Sequence, residues 1–77
     1  MTQEIQHIEL RAEVTGTVWK VLAPVGTRVD ADDTLLVVES MKMEIPVISE
    51  QAGTVVDMKV AEGDAVQDGQ VLVVVAI

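Results

Sequence analysis

Glu39-Ser40-Met41-Lys42-Met43-Glu44-Ile45-Pro46-Val47, the stretch ESMKMEIPV, sets one lysine between two methionines. The apolar run Thr34 to Val38 precedes it, and Ile45 to Ile48 follows. Two strand-like segments therefore approach the lysine from opposite directions, joined by a two-residue turn at Met41-Lys42. Such turns favour Asn-Gly or Asp-Gly, because their backbone needs positive φ, and neither Met nor Lys suits that conformation. Pairing about this turn also sets Glu39 opposite Glu44, a like-charge cross-strand pair that is unfavourable. Two unfavourable choices beside one exposed lysine point to function, and Lys42 is the candidate residue.

Working outward, a shift of 37 positions, from Gly16 to Gly53, lays the second half of the chain on the first without a gap. GTVWKV falls on GTVVDM, Gly26 on Gly63 and Val29 on Val66. Leu35, Val37 and Val38 fall on Leu72, Val74 and Val75. Matching valines carry little weight in so valine-rich a chain, whereas matching glycines carry more. Glycine at 26 and 63 is explained if both turns need positive φ. The shift takes Lys42 beyond the C-terminus in one direction and to Ile5 in the other, so the lysine hairpin has no twin. If a two-fold relates the halves, the hairpin lies at one end of the molecule and both termini at the other.

The remaining elements follow the rhythm of strand, turn, strand. Ile5, Ile8 and Leu10 suggest a first strand ending near Arg11. Thr17 to Leu22 forms a second, punctuated by Pro24 and Gly26. A short extended piece lies around Arg28-Val29, and Asp30, Asp32 and Asp33 form the next turn. Pro46 is confined to an edge or a bulge, because it cannot donate to a ladder. The residues alone thus give an all-β sandwich or barrel of two similar halves.

Seventy-seven residues make one domain, 1–77, with no room for a separate catalytic unit. Hydrophobic residues at 49 %, nearly all aliphatic, fit a β-rich globular fold rather than disorder. The chain has no cysteine, which removes disulfides, thiol catalysis and cysteine-ligated metals. A net charge of −8 with Trp19 as the single aromatic argues against nucleic acid and anionic membrane surfaces. MTQEIQHIEL shows neither a basic start nor a continuous apolar stretch, and no run reaches membrane-spanning length, so the expected location is cytoplasmic. Trp19 reads as core or half-buried packing. His7 has no partner spacing for a metal or a triad, the Asp cluster lacks the rest of a calcium loop, and Lys20 and Lys59 read as surface charges. No nucleophile, base and orienting group can be assembled, so neither a catalytic nor a metal site is expected.

ESMKME, between valine-rich strands and between two repeats, resembles the attachment motif of the biotinyl/lipoyl domain family, and the likeness covers nearly the whole chain. Free-standing biotin/lipoyl attachment proteins and thumbless biotin carboxyl carrier domains are similar to it. The resemblance implies a flattened barrel or sandwich of two four-stranded antiparallel sheets with an internal pseudo-two-fold. It implies biotin joined to Lys42 by an amide, with Met41 and Met43 as flanks that a biotin protein ligase recognises. It also implies a non-catalytic carrier, monomeric when isolated, that shuttles a carboxyl group between biotin carboxylase and carboxyltransferase. Alkylamines are protonated at neutral pH, so the ligase has to assist deprotonation. Two alternatives stand beside this: a lipoyl carrier, whose lysine is usually flanked by Asp and Ala, and an unmodified interaction module. Two departures from the family pattern are visible. Arg11 to Thr15 replaces a proline-containing segment before the first glycine, and the thumb loop of some acetyl-CoA carboxylase carriers is absent.

Overall fold

The computed structural model describes residues 6–77, so the part of the first strand read at Ile5 lies outside the described residues. The elements are β1 His7–Arg11, β2 Gly16–Val21, β3 Arg28–Val29, β4 Thr34–Ser40, β5 Met43–Ile48, β6 Gly53–Met58, β7 Ala65–Val66 and β8 Val71–Ala76. They form two four-stranded sheets, ordered β1-β8-β6-β3 and β5-β4-β2-β7, with every pairing antiparallel. This is the expected architecture of two four-stranded antiparallel sheets.

The 37-residue offset governs the register as well as the sequence. Val18 pairs with Val38 and Lys20 with Val37 on one sheet, and Val55 pairs with Val75 and Asp57 with Val74 on the other. Each ladder therefore carries one extra residue, Trp19 or Val56, at the same place. The offset even relates β1 to β5: His7 opposite Ala76 corresponds to Glu44 opposite Glu39. Each half supplies strands to both sheets, so the pseudo-two-fold exchanges one sheet for the other and neither half closes a core alone.

Packing follows the same rule. The buried pairs Val18 and Val55, Ala23 and Val60, Val29 and Val66, Leu35 and Leu72, Leu36 and Val73, and Val38 and Val75 are all related by the offset. Ala12 is matched by Ser49, which is fully buried and donates its hydroxyl to the Gln51 carbonyl. Burying a hydroxyl in that way is tolerable because the bond replaces the lost water. The turns repeat too. Gly26 and Gly63 sit at φ of 95° and 93°, and their N–H groups donate to the carbonyls of Val55 and Val18, both at 2.8 Å. The conformational role expected for this glycine pair is the one found.

Pro46 lies on β5, an edge strand, where its missing N–H costs no ladder bond. The acidic turn is structural: Asp33 Oδ2 accepts from the Asp30 N–H at 2.8 Å, and Asp32 adopts φ 73° where the second half has Gly69 at 86°. In that half Gln70 Oε1 accepts from the Gln67 N–H at 2.9 Å, the same contact made with a neutral amide. The register joins His7 to Ala76, and the Ile77 N–H donates to the Gln6 carbonyl at 2.8 Å. Thus β1 and β8 bring the two ends of the described chain together, while β4 and β5 close in the lysine turn.

Candidate functional site at the Met41-Lys42 turn

Both strands flanking the turn run longer than the apolar pattern implies, to Ser40 on one side and from Met43 on the other. Ser40 pairs with Met43 and Glu39 with Glu44, so the ladder persists up to the turn and the expected acidic pair is in place. Met41 and Lys42 have φ of 52° and 65°. Two consecutive residues in the left-handed region give a type I′ turn, the tightest way to reverse two twisted strands. The lysine is held by two-sided pairing although its own backbone preference is elsewhere.

The side chains at the tip face solvent. Met41 is 92 % exposed, Met43 is 64 % exposed and Lys42 is exposed as well. Large apolar groups left this open contribute nothing to the core, so stability does not explain them. Among the described residues Lys42 makes no ion pair, whereas Lys59 Nζ lies 2.7 Å from Asp57 Oδ2. The hydrogen bond that Lys59 donates to Asp57, helped by the carboxylate's charge, pushes the Lys59 pKa upward. Lys20 is exposed too, but it sits within β2 rather than at a turn.

Two supports hold the hairpin that the sequence did not disclose. Ser40 Oγ donates to the Thr15 carbonyl at 2.8 Å, tying β4 to the segment that leads into β2. Thr15 is fixed in turn by its hydroxyl, which accepts from the Asp68 N–H at 3.2 Å. Beside it, a Cβ on Gly16 would collide with the Glu39 carbonyl, so glycine allows the start of β2 to lie close alongside β4 at the foot of the hairpin. The repeat itself could have flagged Gly16, since Gly53 meets the Ala76 carbonyl in the same way. The Ser40 contact spans 25 residues and has no counterpart at Ile77, so no local signal marked it.

The donor set suits an acyl group delivered from outside. A primary amine stands exposed, without an ion pair among the described residues, on a turn closed by paired strands, and its flanks are adaptable thioethers. Among the described residues no group of three or more His, Cys, Asp and Glu is placed to hold a metal ion. A family model described as biotin-requiring enzyme matches residues 9–75. The chain belongs to that family. Within it, the chain is 38 % identical over 68 residues to a protein named biotinylated protein TB7.3 homolog from Mycobacterium leprae, covering 88 % of this chain and 96 % of that one. It is also 38 % identical over 60 residues to the biotin/lipoyl attachment protein of Bacillus subtilis, covering 78 % and 82 %. The Kluyveromyces lactis urea carboxylase superposes with a TM-score of 0.87 at 32 % identity, over 97 % of this chain but only 7 % of that one. The fold of this biotin-requiring family member thus recurs as one small part of a large carboxylase.

Proposed function

We propose that this chain is a biotin carrier and that Lys42 is its attachment residue. The observation that carries the reading is the exposed Met41-Lys42 turn at positive φ, held by paired strands on both sides. Lys42 Nζ attacks the acyl carbon of biotinyl-adenylate presented by a biotin protein ligase. The N–C bond forms, the bond to the adenylate phosphate breaks, AMP departs with its electron pair, and the amine proton passes to a ligase base. Biotin, once bound, supplies a ureido group that accepts and surrenders a carboxyl.

The chain's own residues supply placement. Ser40 and Thr15 fix the hairpin, the turn aims the lysine outward, and Met41 and Met43 offer apolar contacts to whichever enzyme encloses the tip. The chain itself catalyses nothing in this reading. Biotin carboxylase and carboxyltransferase act at the far end of the arm, and a monomeric carrier leaves the tip free for each in turn. The likeness to a segment of urea carboxylase supports a carboxyl-carrying role, and the thioether flanks favour biotin over lipoate.

The test of the carrier role uses the biotinylated protein mixed with a biotin carboxylase, ATP and radiolabelled bicarbonate. Label should appear on the loaded protein and be absent from the unloaded one. Loaded protein that stays unlabelled while free biotin is carboxylated in the same tube would count against carriage.

A further inference from the structure

The duplication supplies an internal comparison, because each outward position on the hairpin sheet has a counterpart 37 residues away on the other sheet. On the hairpin sheet Val18, Val21, Val38 and Val47 pack inward, which leaves Trp19, Leu22, Val37, Pro46 and Ile48 facing outward with the charged Lys20 among them. Trp19, Leu22 and Ile48 are exposed over 50 %, 49 % and 41 % of their surfaces. Lys20 and Pro46 both lie opposite Val37, so these outward residues run across neighbouring strands. Their counterparts are Val56, Lys59, Val74, Glu9 and Arg11. There Arg11 pairs with Glu9 at 3.1 Å and Lys59 with Asp57 at 2.7 Å. Two faces with the same register, bulge and core thus differ at three positions, Leu22 against Lys59, Pro46 against Glu9 and Ile48 against Arg11, while Trp19 with Val56 and Val37 with Val74 are apolar on both. Core packing demands neither, since the residues beneath are matched. An apolar surface extended on one face where its matched counterpart carries charges marks an interface.

We infer that the outer face of β5-β4-β2 is the docking surface for the biotin protein ligase, an inference that rests on Lys42 being the attachment residue. Trp19 is its anchor and Pro46 and Ile48 its rim on β5. The face is continuous with the hairpin, because Glu39 and Glu44 follow Val37 and Pro46 along the same strands. An unmodified lysine carries its amine on a short four-carbon stem, so the enzyme that acylates it must bring its active site down to the turn and meet the adjacent sheet. Enzymes acting at the tip of the lengthened arm can stand off. Exposed Glu39 and Glu44 call for basic groups on the ligase beside an apolar patch. The same carboxylates, with a net charge of −8, oppose a second copy of this chain.

The experiment transplants the other face onto this one. Leu22→Lys, Pro46→Glu and Ile48→Arg together install the residues that the fold already accepts at Lys59, Glu9 and Arg11. Steady-state loading with purified biotin protein ligase, ATP and biotin, with the folded domain as the varied substrate, should show KM raised about ten-fold at unchanged kcat. Val56→Ser on the opposite face should leave KM alone. If thermal melts show the triple variant unfolded, Trp19→Ser provides the same readout. Loading with wild-type KM in a folded variant overturns the docking face alone. A wild-type dimer in sedimentation that the substitutions dissolve also overturns it, assigning the face to self-association. No loading of the unaltered chain overturns the attachment reading and the docking face with it.

Discussion

Met41 and Lys42 occupy a backbone region where ordinary side chains are strained by roughly 1–2 kcal/mol each. Asparagine tolerates that region better, so Met41→Asn should raise stability by about 0.5–1 kcal/mol in urea melts, since the 92 % exposed Met41 packs against nothing. The same substitution should slow loading by the ligase, and a Met41→Asn protein that is both more stable and loaded as fast as wild type would remove Met41 from the recognition flank. Ser40→Ala should cost about 0.5–1.5 kcal/mol by deleting the bond to the Thr15 carbonyl. The turn was legible in ESMKMEIPV because two apolar runs meet at a fixed spacing. Ser40 was not, because hydroxyls find distant carbonyls without leaving a periodic trace.

At the scale of elements, the glycine pair offers a controlled comparison. Gly26 and Gly63 face open space where a Cβ would project, so their requirement is purely conformational. Gly26→Val and Gly63→Val should each destabilise the protein by about 1–3 kcal/mol, and by similar amounts, in denaturant melts. Neutral behaviour in both would break the argument that the turns impose positive φ. The duplication was legible because turn glycines and core aliphatics recur at one offset. Trp19 illustrates the limit. Strict alternation leaves its burial open, whereas the extra residue in the β2 ladder turns Trp19 and Lys20 outward together and restores Val21 to the core side. Nothing in TVWKVL announces that bulge; only the matching bulge at Val56 shows that it belongs to the fold.

The whole molecule is two interlocked halves with one unduplicated feature, the lysine turn. The uniqueness of the hairpin was readable from the offset alone: where β4 and β5 close the lysine turn, their counterparts β8 and β1 pair the two ends of the described chain instead. The difference between the two sheet faces was hidden until register showed which residues point outward. The offset holds from His7 through Ile77 without an inserted loop, so nothing in the described fold folds over the turn. An arm on Lys42 should therefore move freely. Backbone amide shifts of loaded and unloaded protein should differ only near Glu39 to Glu44, whereas changes at Pro24 to Asp33 would mean that the cofactor docks on its own domain. Intact mass tests the central assignment most directly. Co-expressed with a biotin ligase, the protein should gain one biotinyl group, and Lys42→Arg should abolish the gain with an unchanged melting curve. Arginine keeps the charge but offers no amine nucleophile. A gain that persists in the Lys42→Arg protein, at Lys20 or Lys59, would contradict the assignment.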